Sequence, residues 1–63
     1  MKVKEIIKLI EADGWYLKRM KGSHRQYKND NKTGLVTVAG HQNDDLAIKT
    51  QKSIFKQAGI ENV

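Results

Sequence analysis

Apolar residues Val3, Ile6, Ile7 and Ile10 fall on one side of a 3.6-residue period, with Leu9 at the edge of the stripe. Lys4, Glu5, Lys8 and Glu11 fill the opposite side, where Glu5 and Lys8 stand at the i,i+3 spacing of an ion pair. Gly14 follows, a residue type that readily takes the left-handed conformation closing a helix. The pattern predicts a helix over 3–13. The period then shortens. Positions 15–20 are aromatic-rich and bounded by glycines, which predicts a strand; Lys21-Gly22 marks a tight turn, and 23–28 a second strand. The polar run Asn29-Asp30-Asn31-Lys32-Thr33-Gly34 predicts a loop, and 35–39, rich in β-branched residues, a third strand. Positions 40–45 are polar and predict another loop. From about 47 to 58 the helical period returns, with Gln51, Ile54, Phe55 and Ala58 on one face and Gly59 as the stop.

The order α-β-β-β-α defines an α+β fold. Strands joined by short turns make an antiparallel meander, and two amphipathic helices need a shared apolar surface, so both are expected on one face of a three-stranded sheet. Double-stranded-RNA-binding domains have this order, although order alone does not establish function. Strand alternation then sorts the side chains. Trp15, Leu17, Tyr27, Val36 and Val38 are expected toward the helices, and His24, Gln26, Lys28, Thr37, Tyr16 and Met20 on the open face. A β-bulge near Gly22 would reverse that parity.

Sixty-three residues make a single domain, and a chain this short leaves much of its surface exposed. It has no cysteine, so neither disulfides nor thiolate metal sites brace it. No apolar run approaches the ~20 residues that span a bilayer, and no signal-peptide pattern opens the chain, so a cytoplasmic protein without membrane association is expected. Twelve Lys and Arg against seven Asp and Glu leave a formal charge of +5. That balance suits an acidic partner, nucleic acid or an acidic protein surface, and also serves plain solubility.

The charge is not spread evenly. Lys18, Arg19, Lys21, Arg25, Lys28 and Lys32 surround His24, with Asp30 the one acid among them. A histidine exchanges protons near neutral pH, its ordinary pKa being about 6.5. A proton-exchanging group beside a glycine turn, in a field that attracts phosphates, points to RNA cleavage; a surface histidine with no task is the alternative. Gly22 admits close approach of backbone to a ligand or simply makes the turn, and Ser23 positions a phosphate oxygen or satisfies that turn. His41 with Asp44 and Asp45 has no recognisable ligand spacing, and the two carboxylates are expected at the start of the second helix, where negative charge is favoured. No metal site is assigned. Lys49, Lys52 and Lys56 form either a solvated helix face or a phosphate-tracking stripe. Tyr16 and Met20 suit base stacking or cover by a partner protein.

The chain resembles, end to end, the HicA family, small toxins of type II toxin–antitoxin pairs. The resemblance rests on the opening amphipathic helix and Asp13-Gly14-Trp15. The central Lys21-Gly22-Ser23-His24 matches the family's Gly-Ser-His hallmark. Leu35-Val36-Thr37-Val38, Gly40-His41 and Ser53-Ile54-Phe55-Lys56-Gln57-Ala58-Gly59-Ile60 complete it. It departs at Ala39, where proline is frequent, and near Lys49, where glycine is. The resemblance implies one HicA-like domain over 1–63 with a double-stranded-RNA-binding-like fold. It implies a ribosome-independent endoribonuclease acting on mRNA, with catalytic His24 and supporting Gly22 and Ser23, and a HicB-like antitoxin that occludes the site. With no metal or other cofactor assigned, cleavage would use the RNA's own 2′-hydroxyl. His24 would act as general base or general acid, Lys21 and Arg25 would stabilise the phosphorane, and Lys18 and Lys28 would hold RNA. The competing reading is a non-catalytic module binding double-stranded RNA or another nucleic acid.

Overall fold

The computed structural model describes residues 1–61 of the 63-residue chain. Helix α1 runs Val3–Ala12 and buries Val3, Ile6 and Ile10 completely, with Ile7 half-buried beside them and Leu9 exposed. Its first amide groups, which have no partner inside a helix, are satisfied from elsewhere. The Val3 N–H donates to Asp44 O at 2.9 Å and the Lys4 N–H to Gln42 O at 3.0 Å. Glu5 does not pair with Lys8 as its spacing predicts. Its carboxylate turns back to accept the Lys2 N–H at 2.7 Å, closing the helix start in the manner of a capping box. Asp13 ends the helix, and Gly14, at φ 103°, redirects the chain into the sheet.

Three strands follow, β1 (Tyr16–Lys21), β2 (His24–Asn29) and β3 (Lys32–Ala39), in the antiparallel order β1-β2-β3. Lys21 pairs with His24 across the two-residue turn Gly22-Ser23. Gly22 has φ 60° and, among the described residues, no non-glycine residue has positive φ, the pattern of the primed hairpin turns that place glycine first. The loop expected over 29–34 is mostly strand; only Asp30-Asn31 turns. Asn29 explains the difference. Its buried side chain accepts the Asn31 N–H at 2.8 Å and donates to Asp13 O at 3.1 Å, so polar residues build a hairpin that pins the end of α1.

Helix α2 (Ile48–Ala58) buries Ile54, Phe55 and Ala58, and Gly59 closes it in the left-handed conformation, φ 67°. Its last carbonyls receive two donors. The Trp15 indole N–H bonds Ala58 O at 3.2 Å, and the Lys32 ammonium reaches Ala58 O at 3.0 Å and Gly59 O at 3.2 Å while pairing with Asp13 at 2.5 Å. A cation at this end complements the helix dipole. Both helices meet the sheet on one face, around Tyr27, Val36, Val38 and Trp15. Among the described residues no helix is long and apolar enough to cross a membrane.

Two expectations about β1 fail, each for its own reason. The β1–β2 register shifts between Leu17 and Arg19, leaving Lys18 as an extra residue. This β-bulge, four residues before Gly22, turns Met20 onto the helix-facing side, opposite the face that simple alternation predicts. Leu17 does face that side, paired with the buried Tyr27, yet is 47% exposed. The helices pack nearest β3, at the other edge of the sheet, and do not cover β1. Leu17 and Met20 therefore line an open groove of about 560 Å³ with Ile7 and Tyr27 rather than filling the core.

Candidate functional site

The open face of the sheet is read directly from the pairing. Lys21 stands opposite His24, which pairs onward with Ala39; Arg19 stands opposite Gln26, which pairs with Thr37; Tyr16 stands opposite Lys28. His24 is exposed, while Arg25 and Tyr27, its neighbours of opposite parity, are buried. Arg19, Lys21, His24, Gln26 and Thr37 line a hollow of about 440 Å³. A second hollow of about 400 Å³ adjoins it, sharing Arg19 and Gln26 and continuing to Lys18, Lys28, Gly34 and Leu35.

The bulge concentrates charge here. It sets the consecutive residues Lys18 and Arg19 at the same hollow, which an unbroken strand would not do. The ion pairs found among the described residues are Lys32–Asp13 and Lys2–Asp45, the latter at 3.7 Å, so Lys18, Arg19, Lys21 and Lys28 keep no carboxylate partner there. At the far end the Tyr16 hydroxyl donates to the Asp30 carboxylate at 3.0 Å. That hydrogen bond, with some desolvation and the Asp30 charge, holds the phenol above its ordinary pKa.

Arg25 does not join the open face. Its guanidinium, on the helix-facing side, donates to Gly40 O at 2.7 Å and Ser23 O at 3.4 Å. Ser23 O also accepts the Gly40 N–H at 3.2 Å. Arg25 thus ties the His24 hairpin to the end of β3 instead of standing beside His24 in the hollow. Gly22 and Ser23 occupy the turn itself, and a Cβ on Gly22 would meet nothing within 4 Å, so its positive φ is the demand for glycine.

His41 follows Gly40 but does not line the His24 hollow. The expected placement of Asp44 and Asp45 at the start of α2 is not found. The Asp44 carboxylate accepts the His41 N–H at 3.0 Å, Asp45 pairs with Lys2, and the first turn of α2 holds no acid. Among the described residues no three His, Asp or Glu side chains converge as a metal-holding group. Lys49, Lys52 and Lys56 are exposed on α2.

Arg19 and Lys21 have the parity of Leu17, so simple strand alternation places neither of them at the hollow. The sequence does hold a signal for them. Leu17 and Met20 are three apart, and two apolar residues at that spacing share one face of a strand only if an extra residue lies between them.

The elements define a small basic α+β protein that presents one exposed histidine in a cation-lined trough on an uncovered sheet. The model of the HicA toxin of bacterial toxin–antitoxin systems matches residues 3–60, and the chain belongs to that family. Membership implies a HicB-type antitoxin as its partner. Comparison with curated proteins finds no match.

Proposed function

We propose that the chain is a ribosome-independent endoribonuclease that cleaves mRNA, with His24 as its general acid–base group, and that a HicB-type antitoxin restrains it. The observation that carries this reading is the exposure of His24 in a hollow walled by Lys21 and Arg19. Packing does not require a histidine there. A phosphodiester laid across the hollow meets cations on one side and an imidazole on the other.

The chemistry follows from those groups. The ribose 2′-hydroxyl attacks the adjacent phosphorus, forming a 2′,3′-cyclic phosphate as the bond to the 5′-oxygen breaks. His24 carries one of the two proton transfers, from the attacking hydroxyl or to the departing oxygen. Lys21, with Arg19, opposes the charge that builds on the phosphorane oxygens. Lys18 and Lys28 hold flanking phosphates. Gly22 and Ser23 set His24 at the turn, and Arg25, bonded to Gly40 O and Ser23 O, steadies it from behind. The nucleophile belongs to the substrate, so the reaction needs no metal-bound water.

The test is the product. RNA incubated with the purified protein in EDTA should give fragments ending in 2′,3′-cyclic phosphate and beginning with 5′-hydroxyl, and a 2′-deoxy substitution at the cut position should block the cut. A protein that binds RNA without cutting it is the non-catalytic module instead. Cleavage that EDTA abolishes contradicts the 2′-hydroxyl route drawn here.

A further inference from the structure

We propose that the second hollow on the open face, walled by Lys18, Arg19, Lys28 and Leu35, together with Tyr16, which stands opposite Lys28, is a nucleotide subsite for RNA flanking the scissile phosphate. The inference rests on the nuclease reading and adds a substrate length and a stacking surface to it. The two hollows share Arg19 and Gln26 as lining residues, so a strand leaving His24 along the open face reaches the second hollow directly after the first. From His24 to Lys28 is four residues along β2, about 13 Å at 3.3 Å per residue, room for more than one nucleotide.

The subsite has the two components that single-stranded RNA needs, cations for the backbone and flat apolar surface for bases. Lys18, Arg19 and Lys28 supply the first, with no carboxylate partner among the described residues. Leu35 supplies part of the second, 46% exposed beside a glycine that leaves the floor open. Tyr16, opposite Lys28 and 45% exposed, supplies the rest. Its hydroxyl is tied to Asp30 at 3.0 Å, so the ring is held in place before a base arrives. Fixing it in advance lowers the ordering cost of stacking. Neither Leu35 nor Tyr16 belongs to the core, and the bulge that brings Lys18 and Arg19 together serves this hollow directly.

The experiment compares lengths. Fluorescent dinucleotides and hexanucleotides of mixed sequence, uniformly 2′-O-methylated so that neither is cut, are titrated into the wild-type protein and into Lys28→Ala, Leu35→Ala and Tyr16→Ala. Circular dichroism checks that each variant is folded. The wild type should bind the hexanucleotide at least fivefold more tightly than the dinucleotide. Each variant should lower that ratio, Leu35→Ala without changing the salt slope, and Lys28→Arg should keep it near the wild-type value. A ratio near one in the wild type, or a ratio the variants leave intact, overturns the subsite while the nuclease reading stands on its product test. Binding of neither length also overturns the subsite, and the product test still decides the nuclease reading.

Discussion

At the residue scale, neighbours in the Gly22–Arg25 segment have different jobs, and substitutions separate them. Lys21 lines the hollow and is exposed, so Lys21→Ala should leave the melting temperature nearly unchanged. It should flatten the salt dependence of RNA affinity by about one unit in a log–log plot, the signature of one lost phosphate contact. Arg25 is 8% exposed and bonded to two carbonyls. Arg25→Ala should therefore cost stability, about 1–3 kcal/mol, read as a lower urea midpoint. A loss of RNA affinity with full stability would show that Arg25 works at the substrate instead. Tyr27 gives a pH test. Burial raises its phenol above the ordinary value of about 10, Glu11 adds to the rise, and Arg25 opposes it. A proton held more tightly in the folded state stabilises the fold below the unfolded pKa and ceases to do so as pH rises through the folded one. The melting temperature should therefore fall above about pH 10, and Tyr27→Phe should fall less over the same range.

At the scale of elements, the two helices were legible because their periodic runs are long and glycines follow them, and the strand order because short turns join the strands. Trp15, Tyr27, Val36 and Val38 are buried as alternation predicts, and His24 is exposed for the same reason. What alternation misplaced traces to backbone irregularity and to cover. One extra residue at Lys18 moved Met20 off the open face and put Lys18 and Arg19 at one hollow. The position of the helices near β3 left Leu17 uncovered, and no local pattern in β1 encodes where a helix elsewhere in the chain will lie. Likewise Asn29 reads as a loop residue until its partners Asp13 and Asn31 are known. Lys32, one of the basic residues around His24 in sequence, is occupied by Asp13 and the end of α2. Lys32→Met should lower stability by about 1 kcal/mol, measured by urea unfolding, and leave RNA affinity close to wild type. An equal loss of RNA affinity would return Lys32 to the binding surface.

At the scale of the whole molecule, the proposed function depends on an asymmetry: both helices pack on one face of the sheet and leave the other to the cations and His24. In that proposal charge supplies attraction and geometry supplies a place for the reaction. RNA affinity should accordingly fall steeply between low and physiological salt, since each phosphate neutralised releases counterions. The histidine is where the account is most exposed to refutation. Its side chain lies outside the core, so His24→Ala should fold and melt like the wild type. The decisive measurement is the initial rate of RNA cleavage by wild-type and His24→Ala protein, side by side in EDTA. Loss of one general acid–base group should slow cleavage by about 10²–10⁴ while the variant still binds RNA. A His24→Ala protein that cleaves at near wild-type rate would contradict the account.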